Sequence, residues 1–387
     1  MGAFYCIVKL PVTNAENFSK FLLTDFSFDN KTVMLAPAKG FYSSPNVGLN
    51  EVRIAFILDQ KKLILAATIL KKALEAYKKF VSWIMLKFEE NISLKPYNTF
   101  GIEVQTKYFY KITNSHELKE IISRNQNIHF RVLGGGSNVL FTGDFKGLTL
   151  LIANKGIEVL EESKENITIE VQAGENWHEF VLWCLNHNYG GIENLALIPG
   201  SVGAAPIQNI GAYGVELTSV FKYCKALNKD TLEEEIITKK DCGFDYRSSI
   251  FKTIKKGKYI ITSVCFKLQK FPHNVNIKYG VLKQTFLNRS PKIQQVAAAV
   301  IKIRQSKLPN PKILGNSGSF FKNPIVSKSH YEILKASYPE LPSFSSTNEQ
   351  LKIPAAWLID HLGFKGIIHG GVGVHKNQAL VLVNLGT

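Results

Sequence analysis

"ENLALIPGSVGAAPIQNIGAYG", residues 193–214, crowds Gly200, Ser201, Gly203, Ala204, Ala205, Gly211 and Gly214 into one stretch with Asn194, Gln208, Asn209 and Tyr213. Small side chains let bare backbone approach a large flat ligand, while side-chain amides bond the polar edges of its rings. A loop serving structure alone would not need so many amides among its glycines. Upstream, "HFRVLGGGSNVLF", residues 129–141, runs an apolar strand directly into Gly134, Gly135, Gly136, Ser137 and Asn138. Such a turn aims successive N–H groups at one point, a nest suited to a pyrophosphate. It matches neither G-x-G-x-x-G nor a P-loop, and by itself reads as a tight turn. The 193–214 segment is what argues for a ligand site.

Composition bounds the ligand. A chain of 387 residues suffices for two or three domains, and 45% hydrophobic with 20% charged residues is the make-up of a soluble globular protein. Forty-seven basic against thirty-one acidic side chains leave a formal charge of +16. The lysines are scattered along the chain and form no basic run, so phosphorylated small molecules are as plausible as nucleic acid. Cys6, Cys184, Cys224, Cys242 and Cys265 never approach C-x-x-C spacing, so buried free thiols in a reducing cytoplasm, without a metal, are expected. No apolar run reaches the roughly eighteen residues that span a bilayer, and the start lacks the pattern of a signal peptide. A cytoplasmic monomer with no membrane partner is the expectation.

Three later stretches add chemistry. "DCGFDYRSSIFK" supplies Tyr246 and Arg247, "IKYGVL" supplies Tyr279, and "IRQSKLPNPKILGNSGSFFKNP" supplies Arg304, Lys307, Ser319 and Asn323. Each has a plain reading as a solvated cation or a turn residue.

Residues 1–82 read as a separate α+β unit: a strand at "FYCIVKL", a helix through "AENFSKFLL", strands at "TVMLAP" and "EVRIAFIL", and a helix from Lys61 to about Val81. In that last helix Leu63, Ala66, Ala67, Leu70, Ala73, Leu74 and Tyr77 form one apolar stripe. "GAFYCIVKLPV", "TVMLAPAKGFY", "NEVRIAF" and "ILKKALEAY" resemble the C-terminal small domain of class I aspartate-type aminotransferases. That resemblance implies a carboxylate-gripping role for the position of Arg53. The pyridoxal-phosphate lysine of that family has no counterpart here, so Arg53 reads as a structural arginine and transamination is disfavoured. Met85 reads as the start of a second protein, joined by fusion or by a gene-model fault.

From Leu94 onward, "LKPYNTFG", "GGGSNVL", "AGENWH", "ENLALIPGSVGAAPIQNIGAYG", "YRSSIFK" and "GNSGSFFKNP" together resemble the UDP-N-acetylenolpyruvoylglucosamine reductase (MurB) family, type I branch. The resemblance implies an α+β fold: a two-part FAD-binding domain of the PCMH (vanillyl-alcohol-oxidase-like) type, then an α+β substrate-binding domain. The expected boundaries are an aminotransferase fragment at 1–82, a linker at 83–92, FAD subdomains at 93–152 and 153–308, and a UDP-sugar domain at 309–387. It implies FAD as cofactor, NADPH as co-substrate and UDP-N-acetylglucosamine enolpyruvate as substrate, anions that account for the basic balance with no nucleic-acid partner. The positions it assigns to FAD are Gly134, Gly135, Gly136, Ser137, Asn138, Val139, Pro199, Gly200, Ser201, Gly203, Asn209, Gly211, Tyr213 and Arg247. Tyr279, Arg304, Lys307, Asn323 and Gln378 fall to substrate. Arg247 is expected to stabilise the carboxylate and Ser319 to act as general acid, with Phe320 and Phe321 excluding water.

Family members continue past the motif that here reads "GGVGVHKNQALVLVN", with a tail carrying a glutamate that assists protonation. Neither Asp360 nor Glu349 is assigned that role. A flavin- or UDP-sugar-binding relic without turnover is therefore the alternative to a working reductase. A flavin oxidase of the same superfamily is disfavoured by the combination of Tyr279, Ser319 and Asn323.

Overall fold

The computed structural model describes residues 4–44, 47–84, 88–124, 128–347 and 349–386. Met85 lies outside them. The chain divides into two units, 1–88 and 89–387.

In the first unit the strand Glu51–Ala55 lies between Tyr5–Lys9 and Ala36–Pro37, both antiparallel to it. The helix Ala15–Thr24 starts where the Asn14 side chain accepts from the Asn17 N–H at 3.0 Å. Phe18, Phe21, Leu22, Val52, Ala73 and Tyr77 form the core beneath this helix and Gln60–Ile84. The strand expected over 32–37 shrinks to two residues, because the Thr32 hydroxyl donates to the Leu22 carbonyl and Pro37 has no N–H for a ladder. In the long helix Ile69 is buried and Ala67 exposed, the larger side chain taking the place on the apolar stripe. Arg53 lies 5.0 Å from the ring centroids of both Tyr5 and Phe41, a cation held by aromatic faces. Cys6, on an edge strand, is exposed, contrary to the expectation of buried thiols; the other four cysteines are buried.

The second unit opens on a four-stranded sheet. Glu89–Ser93 pairs antiparallel with Gln105–Ile112, which runs parallel to Phe145–Ile152, itself parallel to Phe130–Leu133. Residues 89–92, expected as linker, are thus mostly strand, and Ile92 packs on the core of Leu94, Phe109 and Leu133. Next comes an antiparallel sheet in the order Glu234–Thr238, Phe221–Asn228, Tyr259–Gln269, Asn166–Gln172, Ile157–Glu162. Strand alternation sends Ile167, Ile169 and Val171 to the core. The Phe266 ring lies 6.0 Å from Trp177 and 5.0 Å from Phe180, both on the helix Trp177–Asn186. Glu170 alternates away from that core; Tyr223, Lys225 and Ser263 all donate to its carboxylate.

The last part holds a four-stranded sheet, in the order Gly315–Ser319, Val381–Asn384, Val372–Val374, Ile368–His369, beside a three-stranded one. It is tied to the first sheet's loop: the Asn316 N–H donates to the Thr99 carbonyl and Asn384 Nδ2 to that of Phe100, each at 2.9 Å. Among the described residues no helix is long and apolar enough to cross a membrane, and no cluster of His, Cys, Asp and Glu is arranged to hold a metal.

Candidate functional site

The two glycine-rich stretches face each other across a cavity of about 320 Å³, lined by residues 132–139 on one side and by Ile198–Ser201, Gly203–Ala205 and Gln208 on the other. A Cβ on Gly135 would stand 2.7 Å from the Gly200 Cα, so the two loops approach backbone to backbone. Ser137 Oγ donates to the Pro199 carbonyl at 3.1 Å and Asn138 Nδ2 to Gln208 Oε1 at 2.7 Å, stitching the walls together. Among the described residues no backbone N–H from Gly135 to Val139 donates to a protein acceptor. Those N–H groups are left for a ligand. Apolar Ile152, Trp177, Ile207, Ile210 and Ile260 complete the lining.

Asn209, Gly211, Tyr213 and Arg247 are not in this lining. They form a second group beside it. Asn209 is buried; its Nδ2 donates to the Glu216 carboxylate at 2.9 Å and its Oδ1 accepts from the Thr218 N–H at 3.1 Å. Arg247 has φ 52°, and its guanidinium donates to the carbonyls of Asn209 and Gly211 and lies 3.8 Å from Glu216. The adjacent Tyr246 ring is covered by Lys352 Nζ at 3.5 Å from its centroid, which links the arginine loop to the last part of the chain.

Tyr213 meets Tyr279 edge to face, ring centroids 5.8 Å apart. Asn194 Nδ2 supports both loops by donating to the carbonyls of Tyr213 and Asn276, and its Oδ1 is buried without a partner. Burial pushes the Tyr213 phenol up and the Arg304 guanidinium down, the two facing each other closely enough to interact. Arg304 Nε is likewise buried with no partner. Unpaired buried polar atoms are uncommon in folded chains.

Ser319 ends the strand Gly315–Ser319 opposite Val381, and the Val381 N–H donates to the carbonyl of Gln378 in the turn before it. Two residues upstream, Ser317 Oγ donates to the Val139 carbonyl at 3.4 Å, which brings this strand to the end of the nest. Phe320 and Phe321 are 41% and 46% exposed, so they do not wall Ser319 off from water. Their rings pack on each other, 5.3 Å apart, instead of over the hydroxyl. Asn323 Oδ1 accepts from the Ala355 N–H at 3.0 Å at the start of a helix, and Lys307 is the exposed last residue of the helix Ile293–Lys307. Among the described residues no hydrogen bond or ion pair joins Arg247 to Ser319.

The family profile described as "FAD binding domain" matches residues 106–231, and "UDP-N-acetylenolpyruvoylglucosamine reductase, C-terminal domain" matches residues 310–387. The chain is 49% identical over 304 residues to the UDP-N-acetylenolpyruvoylglucosamine reductase of Flavobacterium johnsoniae, covering 78% of this chain and 90% of that one. The chain belongs to the UDP-N-acetylenolpyruvoylglucosamine reductase family. The family's protein from Amoebophilus asiaticus is 45% identical over 307 residues, again across 78% of this chain and 90% of the relative. The crystal structure of the family's Thermus caldophilus member (MurB) superposes with a TM-score of 0.54 at 22% identity, covering 78% of this chain and 90% of that one. That likeness establishes the fold.

The cavity fits the family's flavin nucleotide: bare backbone at Gly135 and Gly200, unengaged N–H groups in the nest and an apolar interior. Gln208, one of the amides read from the sequence, lines it, as do Trp177 and Ile260, which were not singled out. Trp177 was legible in principle, since an aromatic directly after the helix cap Asn176 sits next to the nest-facing loop. Lys352 left no signal in the sequence.

Proposed function

We propose that this protein reduces UDP-N-acetylglucosamine enolpyruvate to UDP-N-acetylmuramate with NADPH, through FAD, in the synthesis of peptidoglycan precursors. The observation that carries this reading is the closure of the 134–139 nest on the 198–208 loop around one cavity, in a chain 49% identical to a reductase of that name. FAD, when bound, supplies the two-electron relay between NADPH and the substrate double bond.

Hydride addition at the β-carbon leaves negative charge on the α-carbon and its carboxylate. Arg247 is the cation for that carboxylate. The carbonyls of Asn209 and Gly211 already hold its guanidinium, so little reorganisation accompanies the reaction. Ser319 gives its hydroxyl proton to the α-carbon; an alcohol is a weak acid, but a carbanion-like centre held in line is a strong enough base. Tyr279, Arg304, Lys307, Asn323 and Gln378 bind the sugar and diphosphate, and the +16 charge suits two anionic substrates. The reading assigns neither Asp360 nor Glu349 to assist Ser319; Asp360 is paired with Lys365 Nζ at 2.9 Å.

The same reading takes 93–152 and 153–308 as the halves of a PCMH-type FAD domain, 309–387 as the substrate domain, and the protein as a cytoplasmic monomer. Residues 1–82 are read as an aminotransferase small-domain fragment; the sheet flanked by two helices and the aromatic clasp on Arg53 support a structural part without transaminase chemistry.

The test is the visible spectrum of the purified protein under nitrogen. A flavin band bleached by NADPH and restored by the enolpyruvyl sugar is the expected result. A band bleached but not restored selects the relic reading, and absence of flavin overturns both.

A further inference from the structure

The helix Trp177–Asn186 grips one wall of the cavity at three points. Trp177 Nε1 donates to the Leu195 carbonyl at 2.9 Å, the Trp177 backbone N–H donates to the Gly200 carbonyl at 3.0 Å, and His178 Nδ1 accepts from the Leu197 N–H at 3.0 Å. Leu197 is held at φ 60°, a left-handed conformation that a branched side chain adopts only when its surroundings impose it. The residues that follow it, Ile198 to Ser201, line the cavity. An imidazole nitrogen accepts only when it carries no proton, so this hydrogen bond requires neutral His178 with its hydrogen on Nε2.

The surroundings keep it neutral. Burial lowers its proton affinity most; Glu179 on the same helix opposes this, and Arg304 on the helix Ile293–Lys307 adds to it. Tyr213, in the turn between the paired strands Gly211–Ala212 and Val215–Glu216, is close enough to the arginine to interact with it.

We propose that His178 is a positioning residue for the cofactor: as a neutral acceptor it fixes left-handed Leu197, and with it the Ile198–Ser201 wall that holds the flavin nucleotide. This rests on the reading of the cavity as the FAD site. Protonation turns the acceptor into a donor facing a donor, which releases Leu197 and loosens the wall. Burial holds the imidazole below its ordinary value of about 6.5, so flavin affinity falls only once pH drops through that lowered value.

The experiment uses the full-chain holoprotein at pH 5 to 8, with FAD release followed by flavin fluorescence, in the wild type, His178→Asn and His178→Leu. An asparagine oxygen stands near the position of Nδ1 and does not titrate. The wild type is expected to bind FAD progressively more weakly toward pH 5. His178→Asn keeps near wild-type affinity at pH 8 and loses the pH dependence, whereas His178→Leu is about ten- to a hundredfold weaker at every pH, as for a buried N–H left without its acceptor. A wild-type pH profile in His178→Asn, or wild-type affinity in His178→Leu, overturns the proposal. Wild-type protein that never binds FAD overturns the FAD reading instead.

Discussion

Two glycines, both in left-handed backbone, show how differently the molecule builds its two working regions. A Cβ on Gly136, in the nest, would stand 1.9 Å from the Tyr97 carbonyl oxygen, whereas a Cβ on Gly318, next to Ser319, meets nothing within 4 Å. In the nest glycine is required by close approach as well as by φ of 60°; beside Ser319 only φ of 69° asks for it. In the cavity the two loops close on each other backbone to backbone. The strand that ends in Ser319 is open, with its serine and both phenylalanines exposed. One region holds its shape by backbone packing and cross-loop hydrogen bonds, and the other presents its side chains to solvent.

Substitutions break that contrast in order of size. Gly136→Ala should abolish flavin binding, since backbone has nowhere to move; the flavin-to-protein absorbance ratio after purification checks it, and a normal ratio would mean the loops are not tightly apposed. Gly211→Ala places a methyl 2.7 Å from Arg247 Nη1 and should displace the guanidinium, lowering turnover about tenfold or more while flavin content stays normal. Glu170→Gln probes the sheet beneath the cradle. Burial raises the Glu170 carboxyl, but hydrogen bonds from Lys225, Ser263 and Tyr223 outweigh it and hold the group below its ordinary value. A folded-state value below the unfolded one stabilises fully above the ordinary carboxylate value of about 4.3, and the stability is lost as pH falls through the folded value. The Gln variant should be about 1–3 kcal/mol less stable at neutral pH and show a shallower loss below pH 4.3 in denaturant titrations. The smallest effect belongs to Gly318→Ala, about 1 kcal/mol of backbone strain with flavin content unchanged. A loss of flavin there would erase the contrast.

What was legible in the sequence follows the same division. The nest and its facing loop could be read because glycine, small residues and amides in one short stretch have few other uses, and Gly134 to Val139 do meet Pro199 to Gly203 across the cavity. Contacts set by chains far apart could not. Nothing in "LKIPAAW" announces that Lys352 covers Tyr246, and nothing in "NWHEF" announces that His178 accepts from a residue nineteen positions on. The phenylalanines after Ser319 read as a shield because apolar rings beside a hydroxyl suggest one. Their exposure depends on what the neighbouring loops cover, which only the folded chain reveals. Ile69 and Ala67 exchanged places for a simpler reason: a stripe read by spacing alone does not weigh side-chain size.

The most direct test separates the two regions in time. Anaerobic stopped-flow on Ser319→Ala follows flavin reduction by NADPH and then reoxidation by the enolpyruvyl sugar. Reduction at the wild-type rate, with reoxidation slowed about a hundred- to a thousandfold, is the predicted result for a proton donor acting apart from the cradle. Equal slowing of both steps, or of neither, would contradict it.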